Sequence, residues 1–423
     1  MKKTDYLIVG GSAAGTTAAD TIRNLNPNAT ITIVTEEDYP QYSLVLIPHY
    51  IRGKIGREQV FLKKPQWYKD KLIELIKLTK VIGLNSERKT VTLSNGEEIQ
   101  YGKLLITVGG KVIPFNVPGA DAKNLFYMRT IDDADRIVKV ASQSQRALII
   151  GGGFIGLEFA SCFAKNGVLD ITALVLEDYY WQGKLDSQSS KVIAEVLTKN
   201  GIKIETKVSV DHFETKEGMI TAAIAKDGRR FEADAVGVGV GIRSDLSFLE
   251  GSGLKFDRGI VTNEYLETNL PDVYAAGDCA QFWDSVFERE HMLGNWANAT
   301  SQGLVVGKTM AHSTGSGQAG EKTMFKTASS YSINFFSGTC SFIGVTDEKF
   351  ADNIVIRGSA AGGKISRIFV KKYGQISRIV GATVVNNVGE VAPLTTAIKS
   401  KADVSVHLED LVKADFDLKS LIV

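Results

Sequence analysis

The sequence predicts an α/β fold in which one strand, turn and helix unit occurs twice, with a smaller α+β region after the second copy. Three observations predict it. The chain opens MKKTDYLIVGGSAAGTTAAD, where Leu7, Ile8 and Val9 form a short apolar run, a glycine-rich turn follows, and an alanine-rich helical segment starts at Ala13. Near residue 150, RALIIGGGFIGLEFA sets the same three parts in the same order. From about residue 322 the pattern changes to strand-like runs, YSINFF, NIVIRG, ISRIFVKK and ISRIVGATVV, followed by a helical segment near Val391 to Ser400.

The repeated turn has a chemical use. Glycines let the backbone bend tightly and approach a ligand closely, and free N–H groups at the helix start attract a phosphate. The first turn fits G-x-G-x-x-G at Gly10 and Gly15, with Ser12 at the middle glycine; serine is small enough to stand there. The second is complete, with Gly151, Gly153 and Gly156. Each copy leads to a second strand ending in acid, ITIVTEED at Glu36 and DITALVLED at Glu177. Gly15 to Glu36 and Gly156 to Glu177 are both 21 positions apart, close to the roughly 20 expected for an acid that hydrogen-bonds an adenine ribose. One such turn alone is weak evidence and is often only a structural bend. Two turns with two matching acids predict two Rossmann-like dinucleotide-binding domains, one for a bound redox cofactor and one for a diffusible nucleotide that feeds it. A flavin and a nicotinamide are the natural pair.

Size and charge narrow the rest. A chain of 423 residues suits two or three domains. Its formal net charge of +1 argues against binding nucleic acid or an anionic membrane through bulk charge. No apolar run approaches the roughly 20 residues of a membrane span. Met1-Lys2-Lys3 passes directly into a strand pattern, so a cytoplasmic location is expected. Cys162, Cys279 and Cys340 lie far apart without C-x-x-C spacing, which argues against a disulfide framework, a zinc site or an iron–sulfur cluster; no metal is expected.

A third stretch, TNLPDVYAAGDCA, ends a strand in the turn Gly277-Asp278. It resembles the motif of the flavoprotein pyridine nucleotide-disulfide oxidoreductases, the glutathione-reductase-like group, and the likeness covers essentially the whole chain. YGKLLITVGGKVIPFNVPG is similar to the segment that closes the first half of that group's FAD domain. ADAVGVGVGIRSD is similar to its return strand from the nicotinamide domain, and NWANATSQGLVVGKTMA to its helix beneath the flavin.

The resemblance implies FAD at the first turn and NAD(P)H at the second. It implies FAD contacts from Gly10, Ser12, Ala13, Ala14, Gly15, Glu36, Glu37, Ser43, Val81, Thr107, Gly109, Gly277, Asp278, Trp296 and Ala297, with Asp278 on the ribityl chain. For the nicotinamide nucleotide it implies Gly151, Gly153, Phe154, Ile155, Gly156, Glu177 and Gly241, with Glu158 in the catalytic vicinity. The implied FAD domain is split into residues 1–113 and 242–316, with the NAD(P)H domain at 114–241. AHSTGSGQAGEK is then a linker, and 322–423 a C-terminal α+β interface domain that leaves a homodimer open. The nearest branches are the NADH–rubredoxin reductases, the flavin modules of nitrite reductases and the flavin subunits of larger dehydrogenase complexes.

Departures from the family pattern sharpen the expected function. Where disulfide-reducing members carry cysteine, this chain reads YPQYSLVLIPHYIRG, so no thiol relay is expected. Relatives place Lys or Arg at the position of Leu44, paired with an acid matching Glu158; here that partner is lost, and Arg52 or His49 are its candidate substitutes. Glu177, followed by Asp178, Tyr179 and Tyr180 with no arginine, favours NADH over NADPH. Two basic runs stand out. Residues 51–80 hold nine basic residues against three acidic, and 354–389 hold Arg357, Lys364, Arg367, Lys371, Lys372 and Arg378 with no acid. Each is explained as a solvated face or, more sharply, as a docking surface for an acidic electron carrier or partner redox subunit. The expected function is an FAD-dependent NADH oxidoreductase that feeds an acceptor protein. The alternatives are a small acceptor such as oxygen or a quinone, and a flavin-holding subunit with little turnover of its own.

Overall fold

The computed structural model describes residues 1–312 and 322–422, so most of the expected Gly/Ser-rich linker lies outside the described residues. The chain divides into two compact units, Met1–Leu46 with Gly56–Lys111 and Ile242–Thr327, and Ile47–Ile55 with Val112–Gly241 and Ala328–Val423.

The first unit is built on a seven-stranded sheet in the order Ile73–Ile76, Ile31–Val34, Lys2–Val9, Glu98–Ile106, Thr90–Leu93 and Val81–Asn85, with Val273–Ala275 also paired to Glu98–Ile106. The four pairings around Lys2–Val9 and Glu98–Ile106 that bear on the turn are parallel. Leu7, Ile8 and Val9 are all buried, as a strand covered on both faces demands. Helix Ala13–Leu25 stops at Asn26-Pro27, because proline has no N–H with which to continue it. Its small residues serve close packing. A Cβ on Gly303 of helix Trp296–His312 would lie 2.4 Å from the Ala14 carbonyl oxygen, and one on Gly307 would lie 3.0 Å from that of Ala18. The two helices therefore touch backbone to backbone, which seats the N-terminal half of the second helix beside the first glycine turn.

The second unit contains a five-stranded parallel sheet in the order Ile202–Glu205, Asp170–Leu174, Arg146–Ile150, Ala235–Val238 and Leu125–Phe126. Val210–Lys216, Met219–Ala225 and Arg230–Glu232 form an antiparallel meander. The C-terminal sheet is antiparallel, Ser330–Phe335, Gly338–Gly344, Ile376–Val385, Lys364–Tyr373 and Asn353–Ser359, with helix Val391–Lys399 against it. Gly338–Gly344 is a strand that the sequence pattern did not signal. Its hairpin turns through Phe336, which adopts φ +49°, a conformation that a bulky residue gives no warning of.

Candidate functional site

The two glycine turns are copies in geometry as well as in sequence. The Gly10 N–H donates to Val34 O at 2.8 Å and the Gly151 N–H to Leu174 O at 3.0 Å, with φ of +110° and +108°. A Cβ on Gly10 would lie 2.3 Å from Thr107 O, and one on Gly151 2.5 Å from Gly239 O; neither position admits a side chain. Gly15 and Gly156 let each helix close on its turn, since a Cβ would stand 2.0 Å from Gly10 O and 2.3 Å from Gly151 O. The middle positions differ. Ser12 and Gly153 precede their helices at φ −91° and −114°, which any residue adopts, and this is why serine is tolerated in the first copy.

Around the first turn, Thr107 donates its hydroxyl to Val9 O and Gly10 O at 3.0 and 2.9 Å, and Ala13 and Ala14 are buried at the helix start. Gly277, at φ +81°, donates to Gln302 Oε1 at 2.7 Å, and a Cβ on it would meet Ala14 Cβ at 3.3 Å. Gly294 faces the Asp278 carboxylate. The first turn and the Gly277-Asp278 turn thus meet. Gln302 Nε2 and Asn298 Oδ1, both buried on helix Trp296–His312, have no hydrogen-bond partner among the described residues. Open backbone donors, a cradle that a Cβ would fill and one unsatisfied buried atom on each of two amides fit an extended ligand bearing phosphates and hydroxyls, as FAD is. Trp296 and the exposed Ala297 begin the same helix.

Other predicted residues are more dispersed. Glu36 is held by Lys111 at 2.9 and 3.2 Å, a lysine that sequence reasoning missed. Glu37 accepts from the Tyr42 hydroxyl. Ser43 is buried with its N–H on Val60 O, Val81 belongs to a hydrophobic core, and the Gly109 carbonyl accepts from Ser244 Oγ at 2.8 Å.

In the second unit, Gly239 and Ile155 pack together behind the turn, and Gly241, at φ +113°, accepts from the Ile113 N–H. Glu177 is exposed past the end of strand Asp170–Leu174. Asp178 beside it is paired with Lys207 Nζ at 3.1 Å, and the Lys207 N–H donates to Glu177 O. Glu177 and Asp178 therefore have a cation beside them that comes from a distant segment, although their own loop holds no arginine.

Leu44 itself offers no charge, and of the two candidate substitutes Arg52 takes the place: its Nη1 donates to Glu158 Oε2 at 2.6 Å. Burial raises the Glu158 carboxyl above its ordinary range, and the Arg52 guanidinium opposes that rise. Two further contacts tie residues 47–55 to helix Phe154–Lys165. The Cys162 thiol points at Pro48 O, and Asn166 Nδ2 donates to Ile51 O at 2.8 Å. Arg52 Nε has no partner among the described residues. His49, the other candidate, is held below its usual pKa by partial burial and then by Arg52 and Lys54, which disfavours the charged imidazolium.

The second basic run is partly consumed by the fold. Arg357 is buried, with Nε on Glu390 at 2.8 Å and its other nitrogens on the carbonyls of Leu411, Lys413, Ala414 and Phe416. Arg367 is buried against Glu348 and Asp186. Lys371 donates to Phe350 O, and Arg378 lies over the Tyr373 ring. Lys372 is exposed.

The chain matches the family described as pyridine nucleotide-disulphide oxidoreductase over residues 4–303. Putidaredoxin reductase CamA of Pseudomonas putida is 29% identical over 429 residues, covering 97% of each chain. Monodehydroascorbate reductase 2 of Arabidopsis thaliana is 34% identical over 302 residues, 66% of this chain and 68% of that one. Among solved structures, the covalent putidaredoxin reductase–putidaredoxin complex superposes with a TM-score of 0.88 at 26% identity, covering 100% of this chain and 99% of that one.

Proposed function

The chain belongs to the pyridine nucleotide-disulphide oxidoreductase family, and we propose that it carries electrons from NADH to a small acidic iron–sulfur protein. It is an FAD-dependent oxidoreductase that uses NADH and passes electrons to an acceptor. Bound FAD supplies a centre that accepts two electrons as hydride and releases them singly.

The observation that carries the choice of acceptor concerns the thiols. Cys162, Cys279 and Cys340 are all free and buried, and burial pushes every one up, Cys279 to about 12. None is a thiolate at neutral pH, so no cysteine relays electrons, and the acceptor must meet the flavin itself. Similarity to a reductase solved in complex with putidaredoxin supports a carrier protein as that acceptor.

In this reading Gly10, Ser12, Ala13, Ala14 and Gly15 hold the FAD pyrophosphate, Glu36 the adenine ribose, and Asp278 the ribityl chain. Gln302 and Asn298 offer their spare amide atoms to the same ligand. Gly151 to Gly156 hold NADH, with Glu177 on its ribose and the Arg52–Glu158 pair fixing the helix that follows. Residues 1–113 and 242–316 are then the FAD domain, 114–241 the NADH domain and 322–423 the interface domain. Among the described residues no helix is long and apolar enough to cross a membrane, and we place the protein in the cytoplasm.

The test is NADH-driven reduction of a rubredoxin or ferredoxin at rising ionic strength, with wild type and with Lys372→Glu, Arg378→Glu. The carrier rate should fall with salt and drop about tenfold in the variant at low salt, while anaerobic bleaching of the flavin by NADH is unchanged. A carrier rate indifferent to both would favour a small-molecule acceptor.

A further inference from the structure

The loop that leaves Glu177 turns back on the second glycine turn at Trp181. Trp181 adopts φ +62°, a left-handed conformation that costs a large residue about 1 kcal/mol or more and persists only where the surroundings impose it. Three rings hold it. The indole lies 5.0 Å from the Phe342 ring and 6.4 Å from Phe154; Tyr331 in turn stacks on Phe342 at 5.3 Å and meets Phe154 at 6.2 Å. Phe154 opens the helix after the turn, whereas Tyr331 and Phe342 belong to strands Ser330–Phe335 and Gly338–Gly344 of the C-terminal sheet.

Clamped in this way, the indole Nε1 stands 3.8 Å from the point a Cβ on Gly153 would occupy, and the Trp181 backbone nitrogen 3.4 Å from the corresponding point on Gly152. Indole Nε1–H can only donate, and it has no acceptor among the described residues. The first copy has nothing comparable. There the space over Gly11 is bounded by Ile33 and Thr35, neither of them an aromatic donor.

We propose that Trp181 is a further binding residue of the nicotinamide-nucleotide site: its Nε1–H donates to a pyrophosphate oxygen of the ligand held over Gly153, and the C-terminal sheet presets that donor through Phe342 and Tyr331. The inference rests on the reading that the second turn binds NADH. A donor fixed in advance gains affinity because its ordering cost is met in the folded protein. It also gives the C-terminal sheet a part in nucleotide binding.

The experiment is calorimetric titration of the FAD-loaded protein with ADP, NAD⁺ and adenosine. Trp181→Phe keeps the ring packing and removes only the N–H. It should weaken ADP and NAD⁺ about tenfold, the scale of a hydrogen bond to a charged group, and leave adenosine within twofold. Trp181→Phe binding ADP as wild type does would overturn the inference. Glu177→Ala, titrated in parallel, shows whether the site assignment falls too: a normal NAD⁺ affinity there removes both, a weakened one removes Trp181 alone. A second measurement does not depend on the variant folding. In ¹⁵N-tryptophan spectra of the wild type, one indole N–H resonance should move downfield with ADP and stay put with adenosine; no ADP-dependent shift counts against the proposal.

Discussion

Arg52 and Glu158, 106 positions apart in sequence, form an ion pair with 8% and 11% of their side chains exposed. A pair so shielded is costly to break, because the survivor is left charged and unpaired at about 3–5 kcal/mol. Arg52→Gln should lose stability on that scale, whereas Arg52→Lys should recover part of it. Loss of the cation also removes the influence that lowers Glu158, so its pKa, already raised by burial, rises further. Above the ordinary carboxylate value the folded variant then holds a proton that the unfolded chain has lost. Its deficit relative to wild type should grow as pH rises through that window and shrink as pH falls toward the carboxylate range. Urea melts at two pH values check the sign; a deficit independent of pH would contradict it.

The duplicated turns allow the two nucleotide sites to be assigned by matched substitutions. Gly15→Ala puts a methyl 2.0 Å from Gly10 O and should give folded protein that retains little FAD. Gly156→Ala crowds Gly151 O in the same way and should keep FAD while raising the KM for NADH more than tenfold. Absorbance of the purified proteins and steady-state kinetics separate the two outcomes.

Lys207 bears on nucleotide choice. It is paired with Asp178, so Glu177→Ala with Asp178→Ala removes two negative charges and releases a cation beside the loop that the proposed reading sets against the adenine ribose. The ratio of kcat/KM for NADH to that for NADPH should fall at least tenfold. Adding Lys207→Ala should restore much of the preference. If the third change has no effect, Lys207 does not reach the nucleotide.

Arg357 ties the chain end to strand Asn353–Ser359 through Glu390 and four carbonyl oxygens. Arg357→Met keeps the apolar stem but orphans those acceptors, which should cost about 3–5 kcal/mol. The damage should appear as early proteolysis after residue 400, with flavin content intact. Uniform loss of all protease resistance would mean that the anchor serves the whole molecule.

The two glycine turns, their acids and the Gly277-Asp278 turn were legible in the sequence because their demands are local. A backbone at φ +110° with a carbonyl 2.3 Å from the missing Cβ accepts glycine and little else, and the neighbouring strand and helix carry their own apolar periods. The strands of the C-terminal sheet were legible for the same reason, apart from Gly338–Gly344. Partners drawn from distant segments were not legible. Lys111 reaches Glu36 across 75 positions, Lys207 reaches Asp178, and Phe342 reaches Trp181, yet none of these pairs shares a helix turn or a strand register that spacing could reveal; for Glu158 the sequence offered Arg52 or His49, and only the fold chose Arg52. The basic run at 354–389 shows the converse. In sequence it is one block of charge, but the fold buries Arg357 and Arg367 and leaves Lys372 exposed, because whether a cation faces carbonyls or water is decided by which strand packs against it. The sequence determined which nucleotides the chain is built to hold; packing between remote segments decided which charges stand beside them.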